Sequence, residues 1–412
     1  MGLLKPPLAL PFNITRMGYV VLTSSDFDKT RFFYESGLGL EVTFQDQNML
    51  CFRAIEETYH HSLVFEKVDE GGIGKCRRVG YRMQSDHDVK EAFNFFKSRG
   101  NQVDFVERPF QGLTIEVIDC LGVSVEFCAT MEQSENRMQK FDTHSGGKLA
   151  FLDHIQIACP DVQEVYQWYN DLGFRLSEYT ANDGTEEIWG VWLKRKNNTQ
   201  DIVFSNGAGP RLHHIAYHTP EVANVIHAAD VISSVGLAGA MDRAPGRHGI
   251  GNAFFIYFRD PDGHRVEIFT SHYNFIDIDQ EPKRWDLTDT TRSQLWGFPA
   301  PKKWFYEASE FDGIEVKTYR HDILDETALS SSIIHDLMID EVGQLWVGSN
   351  DGLHLYNSEK DNFFRFLIAL NAGLKSLPHS ETQCASSIAI LSIFRLLICI
   401  KKDSFNIRSG EE

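Results

Sequence analysis

The stretch Asp260-Pro-Asp-Gly-His-Arg-Val-Glu-Ile268 is matched without a gap by Asp119-Cys-Leu-Gly-Val-Ser-Val-Glu-Phe127. Each reads as a hairpin, the later one with a Pro-Asp-Gly turn signal, entering a strand of alternating β-branched residues. Working outward, Arg78-Val-Gly-Tyr-Arg82 matches His214-Ile-Ala-Tyr-His218, and each leads into a helical pattern, Asp86 to Arg99 and Pro220 to Val235, closed by glycine. Further upstream Met17-Gly-Tyr-Val-Val-Leu22 matches Leu152-Asp-His-Ile-Gln-Ile157. Each of these runs into a polar helical stretch ending in Gly37-Leu-Gly-Leu40 or Asp171-Leu-Gly-Phe174. Repetition at this scale is a duplication. Each half contains two β-α-β-β-β units, and paired units of this kind can curl their sheets around a cavity. The fold class is therefore α+β, built as two paired-module domains.

A polar linker, 133–148, separates the halves, giving an N-terminal domain over 1–135 and a second domain over 149–275. Residues 276–311 form an aromatic-rich extension (Trp285, Trp296, Trp304) expected to pack on the second half and close over something. Beyond it, 312–412 look foreign. Leu329 to Asp340 and Gly343 to Tyr356 resemble one blade of the propeller repeats of two-component sensors, whereas a propeller typically needs about four or more blades. The apolar run Ile388 to Ile400, broken by Arg395, falls short of the ~20 residues that span a bilayer, and the tail is expected to be poorly ordered by itself.

With 412 residues, 42% of them hydrophobic and 24% charged, the chain has ample material for two cores. A net charge of -18 repels phosphate backbones and anionic lipid, so neither nucleic acid nor a membrane is the expected partner. An anionic substrate would need local arginines, which singles out Arg243, Arg247 and Arg292. The seven cysteines are scattered with no CxxC pair, and Leu3 to Phe12 is interrupted by Lys5 and three prolines; reduced thiols and a cytoplasmic location are expected.

The duplication supplies an internal control. Where the second half has His154, His214 and Glu267, the first has Tyr19, Arg78 and Glu126. Taken singly, a histidine on an apolar strand is more often a packed core residue than a ligand. Three at matching repeat positions form a 2-His-1-carboxylate set, the donor pattern of non-haem Fe(II) oxygenases. One half is expected to bind metal and the other not.

From Leu152 to about Trp304 the chain resembles type I extradiol dioxygenases of the vicinal oxygen chelate superfamily, most of all their homoprotocatechuate 2,3-dioxygenase group. The matching strings include Trp192-Leu-Lys-Arg-Lys196, Gly209-Pro-Arg-Leu-His-His-Ile-Ala216, Arg243-Ala-Pro-Gly-Arg-His-Gly249, Tyr257, Asp260 to Ile268 and Trp296-Gly297, with Glu56-Glu-Thr-Tyr-His-His-Ser-Leu63 in the first half. The resemblance implies Fe(II), with Mn(II) an alternative, held by His154, His214 and Glu267. It also implies ring cleavage of a catechol with O2, the substrate being 3,4-dihydroxyphenylacetate or a related catechol and the product a muconic semialdehyde type. His248 and Tyr257 would hydrogen-bond the substrate oxygens, while Trp192, Arg243, Arg292 and Gln156 would shape its pocket. Relatives are homo-oligomers, tetramers among them. Two departures stand out. The family's acid-base histidine falls on Gln200, and its substrate-carboxylate arginine falls on Ser293, next to Arg292. Gln156 replaces the usual asparagine and keeps an amide. Two other classes share the fold: a glyoxalase-like lyase or isomerase, which assembles its metal site from paired modules, and a catalytically weakened binding protein.

Overall fold

The computed structural model describes residues 3–7, 9–69, 74–277, 279–305, 307–314, 325, 327–331, 334–339, 344–349, 351–358 and 360–366. The first module runs β1 (Ile14–Ser24), α1 (Phe27–Arg31) with a π-helical continuation Phe32–Leu38, β2 (Glu41–Gln45), β3 (Met49–Arg53) and β4 (Leu63–Lys67). The second runs β5 (Lys75–Met83), α2 (Asp86–Ser98), β6 (Val103–Val106), β7 (Thr114–Ile118) and β8 (Ser124–Cys128). The second half repeats this as β9 (Phe151–Cys159), α3 (Val162–Asp171), β10 (Arg175–Ala181), β11 (Ile188–Lys194) and β12 (Ile202–Asn206). Its last module is β13 (Arg211–His218), α4 (Val222–Ser234), β14 (Met241–Arg247), β15 (Phe254–Arg259) and β16 (Arg265–Thr270). Four β-α-β-β-β modules are thus present, as the repeat predicts. Helix starts follow local chemistry: Ser85 caps α2 through Asp88 N, and Asp161 caps α3 through Glu164 N.

One pairing rule builds all four modules. The first strand lies parallel to the fourth (β1 with β4, β5 with β8, β9 with β12, β13 with β16), and two modules join through antiparallel first strands, β1 with β5 and β9 with β13. The first strands therefore occupy the centre of each half-sheet, buried along nearly their whole length.

The two halves share a core. Tyr81 meets Tyr169 and Phe174 edge-on at 6.1 and 5.3 Å, and Phe96 stacks on Trp168 at 5.9 Å. The Asp260-Pro-Asp-Gly turn also binds the halves together, because Asp262 Oδ1 accepts from Ser25 N and Oγ at 2.9 and 2.7 Å, while Tyr34 donates to Asp260 at 3.0 Å.

The extension adds β17 (Lys283–Asp286) beside β10, β18 (Trp296–Gly297) beside β14, and β19 (Ser309–Phe311). Packing on the second half was expected, but β19 goes further. It pairs antiparallel with β13 and parallel with β5, so three residues stitch the two half-sheets together. The contacts run past Phe311: Arg77 donates to Asp312, Asp312 N donates to Cys76 O at 2.8 Å, and Ile314 packs against the core. The first compact unit accordingly ends at Val316, a few residues later than the sequence suggested.

The second unit begins at Lys317. Its described residues contain one antiparallel sheet in sequential order, β20 (Ile334–Ile339), β21 (Leu345–Ser349), β22 (Gly352–Asn357) and β23 (Asn362–Phe366). The sequence reading of a propeller-like repeat falls on this sheet; the apolar run 388–400 lies outside the described residues. Among the described residues no helix is long and apolar enough to cross a membrane.

Because every strand of the duplicated unit finds its partners before Val316, a chain ended there should fold and retain the per-molecule activity of the full chain. Kinetics and calorimetry on the truncated protein check this; loss of bound metal on truncation would make the tail part of the functional fold.

Candidate metal centre

Strand register brings the three candidate ligands together. Ala216 on β13 lies opposite His154 on β9 and opposite Glu267 on β16, while His214, two residues earlier on β13, faces Gln156. Period two then puts all three side chains on one face. The Nε2 atoms of His154 and His214 lie 3.4 and 3.2 Å from Glu267 Oε2, and one donor atom from each residue lies within 4.8 Å of the other two. Each residue is at most 3% exposed.

The protons around the site are arranged from behind. His213 Nε2 lies 3.2 Å from the carbonyl of Trp304 and its Nδ1 lies 2.7 Å from His214 Nδ1. A carbonyl only accepts, so His213 carries its proton on Nε2 and accepts at Nδ1 from His214. His214 Nε2 is thereby left bare, buried and without a hydrogen-bond partner. Burial also pulls the His214 pKa down to about 4. At His154, Nδ1 is 2.9 Å from Asp153 Oδ2, which again turns Nε2 toward the centre. Burial lowers the His154 pKa, but hydrogen bonds with Asp153 and Glu267 outweigh it and bring it to about 9. Glu267 is likewise penalised by burial, yet the facing imidazoles of His154 and His214 hold it well below the usual carboxylate range. A buried anion, a bare imidazole nitrogen and a second imidazole aimed at the same point fit a divalent metal ion, which would displace the proton between His154 and Glu267.

The first half shows what happens when the same position is given up. Tyr19, Gly80 and Glu126 hold the register of His154, Ala216 and Glu267. Tyr19 donates to Glu126 at 2.5 Å, and the guanidinium groups of Arg78 and Arg108 reach the same carboxylate at 3.1 and 2.5 Å. Cations of the chain occupy the place of an ion. Gly80 is required here, since a Cβ would lie 2.2 Å from the Tyr19 ring.

Ten residues singled out from sequence line one cavity of about 470 Å³: His154, His214, Glu267, Gln156, Trp192, Gln200, Arg243, His248, Tyr257 and Arg292; Arg247 is not among the lining residues and instead donates to the Asn252 carbonyl at 2.9 Å. His248 Nδ1 lies 2.5 Å from the Ser293 carbonyl, so it holds the proton, and Nε2 is left to accept from Tyr257 OH at 3.1 Å. Its ring stacks on Phe255 at 3.9 Å, and burial drops its pKa to about 4. Arg243 is sandwiched between Phe255 and Trp304, at 4.6 and 5.0 Å, with contacts of 3.5 Å to Ser293 O and Gln294 Oε1. Its Nε has no hydrogen-bond partner. Arg292 is held by the Leu287 carbonyl at 3.1 and 3.3 Å. Gln156 donates to Ser205 at 2.9 Å, and Gln200 Nε2 lies 3.5 Å from His154 Nδ1.

Sequence reasoning missed Asp153, Glu178 and the wall residue Trp189, whereas Trp304, expected only to pack and close over something, turns out to line the cavity itself. The buried Glu178 carboxylate accepts from Gly251 N, Tyr273 OH and Trp285 Nε1, tying the loop that follows His248 to the extension. Asp153 escaped because strand alternation sends neighbours to opposite faces; only its bond to the His154 ring reveals its part.

Because outer partners typically change metal affinity ~10–100-fold, Asp153→Asn and His213→Leu should each weaken metal binding by about that factor. Equilibrium dialysis with elemental analysis measures it, with circular dichroism to verify folding; an unchanged dissociation constant in both would remove the proton arrangement described above.

Comparison with known proteins agrees with this geometry. Residues 16–124 and 151–268 match the Glyoxalase/Bleomycin resistance protein/Dioxygenase superfamily. A manganese-dependent 2,3-dihydroxybiphenyl 1,2-dioxygenase of Geobacillus genomosp. 3 is 28% identical, the alignment covering 70% of this chain and 96% of that protein. A metapyrocatechase of Geobacillus stearothermophilus is 26% identical over 74% of this chain and 96% of its own length. The crystal structure of homoprotocatechuate 2,3-dioxygenase from Arthrobacter globiformis superposes with a TM-score of 0.70 at 35% identity, covering 74% of this chain and 94% of that one. The Brevibacterium fuscum homoprotocatechuate 2,3-dioxygenase in complex with 3,4-dihydroxyphenylacetate gives the same TM-score of 0.70 at 34% identity, covering 74% and 95%. With both halves matched in sequence and the duplicated fold matched in space, the chain belongs to the extradiol dioxygenases of the Glyoxalase/Bleomycin resistance protein/Dioxygenase superfamily.

Proposed function

We propose that this chain opens the ring of 3,4-dihydroxyphenylacetate or a related catechol beside its diol, inserting both atoms of O2, at an Fe(II) ion held by His154, His214 and Glu267. The observation that carries the reading is the bare, buried Nε2 of His214, facing Glu267 at the floor of a cavity that also holds a neutral His248 and a buried Arg243. A manganese-dependent relative makes Mn(II) the alternative ion. When bound, the ion would supply a redox-active Lewis acid that brings catechol and oxygen within electron-transfer reach.

The chain's own residues then have separate tasks. His248, fixed as the Nδ1–H tautomer by the Ser293 carbonyl, presents Nε2 to take a catechol hydroxyl proton. Tyr257 OH, within 3.1 Å of that nitrogen, can pass its hydrogen bond from His248 to a substrate oxygen. The Arg243 guanidinium balances the charge of a deprotonated catechol or of a carboxylate substituent, and Arg292 adds a second cation at the rim. Phe255 and Trp304 clamp Arg243, so its charge is already in place before substrate arrives. Gln200 can donate a hydrogen bond beside His154 but has no proton to release. Donors drawn from a single half argue against a glyoxalase-like lyase, whose metal site spans paired modules.

Two outcomes test the assignment. Glu267→Ala should abolish ring cleavage, whereas Glu126→Gln, which keeps an acceptor for Tyr19, should retain most activity per folded molecule; equal losses would contradict a one-site enzyme. A well-placed acid-base histidine contributes roughly 10²–10⁴-fold, so Gln200→His should speed turnover of catechols that the natural protein cleaves slowly. Stopped-flow absorbance of the ring-cleavage product at matched iron content reads this; no acceleration with any cleaved catechol would place the proton route elsewhere.

A further inference from the structure

Outside the triad, the described residues hold one other buried group of converging metal donors, in the half without the triad: Cys51, His60 and His61. Register explains their meeting. Cys51 pairs with Val64, opposite Val21, as Trp192 pairs with Val203, opposite Gln156. By the same count, Leu63 stands for Ile202, so His61 stands for Gln200 and His60 for Thr199. The first half therefore has donor groups beside the positions equivalent to the triad. Cys51 is fully buried, His60 and His61 are 5% and 4% exposed, and one donor atom of each lies within 4.8 Å of the other two.

The surrounding hydrogen bonds decide which nitrogens are free. Tyr19 OH lies 2.5 Å from Glu126 and 3.1 Å from Gln111 Oε1; Thr114 OH lies 3.0 Å from Gly112 O and 3.2 Å from the same Oε1. Both hydroxyl protons have shorter acceptors than Gln111. The carboxamide is better satisfied turned end for end, donating to both hydroxyl oxygens and presenting its oxygen to His61 Nε2, which is 3.3 Å from the amide. His61 then carries its proton on Nε2, and its Nδ1 is bare. That atom lies 3.0 Å from His60 Nδ1. Two nitrogens so close share a hydrogen, carried here by His60 Nδ1, or a metal ion that takes its place. The spacing is near the roughly 3.3 Å edge of a tetrahedron with metal–nitrogen bonds of ~2.0–2.1 Å. His60 is further held by stacking on Phe110 at 3.7 Å.

We propose that Cys51, His60 and His61 form a second metal site, for a thiophilic borderline ion of the zinc class, which fastens β3 to the loop before β4 and takes no part in ring cleavage. One thiolate and two imidazoles suit such an ion and leave a fourth corner for water. Burial holds the Cys51 thiol up near 12, so binding must release a proton and should strengthen as pH rises. The second site does not depend on the proposed substrate.

The test is anaerobic titration of the metal-free full chain with Co(II). The expected result is two Co(II) per chain and a near-ultraviolet thiolate-to-cobalt charge-transfer band, since the triad holds no sulfur. Cys51→Ser should lose the band, bind one Co(II) and keep ring-cleavage activity; His60→Gln should also lose the band. A natural protein that shows no such band overturns the site whatever the variants do, as does a band that survives Cys51→Ser.

Discussion

A carboxylate sealed beneath a β-sheet is the constraint around which the second half is built. Glu267 is 2% exposed and ionised, and breaking up a buried charge pair typically costs about 3–5 kcal/mol. Every neighbour answers that charge. His154 and His214 face it, Asp153 and His213 fix their rings from outside, and Tyr257 and His248 stand at its free side. The first half meets the same requirement at Glu126 with permanent cations, Arg78 and Arg108, and the Tyr19 hydroxyl. Duplication produced one electrostatic problem twice, and the halves diverged in where the compensating positive charge comes from.

The cavity above Glu267 reverses the sign of the molecule as a whole. The chain carries a net charge of -18, yet the cavity presents two guanidinium groups, Arg243 and Arg292, and a neutral imidazole. Arg243 keeps its charge where water is scarce because two aromatic faces replace part of its hydration. The loop that supplies His248 is irregular, and its position relies on Glu178, whose three donors are Gly251 of that loop, Tyr273, and Trp285 of the extension. The extension is therefore part of the cavity wall, with Trp304 accepting from His213 through its carbonyl while its ring covers Arg243 and Arg265.

Much of this was legible in the sequence because duplication turns comparison into measurement. Period-two strands and matched turns gave the four modules, and the contrast of His154, His214 and Glu267 with Tyr19, Arg78 and Glu126 isolated the donor set. What stayed hidden depends on contacts between residues far apart in the chain or on local exceptions to alternation. Asp153 sits on the wrong side of a strand by the period rule, yet its carboxylate reaches around to His154. Glu178 looked like any polar strand residue until Gly251, Tyr273 and Trp285 converged on it. The three residues of β19 are too few to carry a pattern, and only three-dimensional pairing shows that they join the half-sheets. Cys51 stayed one of seven scattered thiols, because its imidazole neighbours arrive through a loop.

The fit of Tyr19 against Gly80 also has a historical side. Tyr19, Gly80, Arg78 and Glu126 are interlocked, so no single substitution returns the first half to a three-ligand centre. Changing Tyr19 to histidine leaves two guanidinium groups where an ion must go, and replacing Arg78 alone still leaves Arg108 on the Glu126 carboxylate. The two copies therefore differ in how many changes separate them from a three-donor centre: the first half would need Tyr19, Arg78 and Arg108 all altered together.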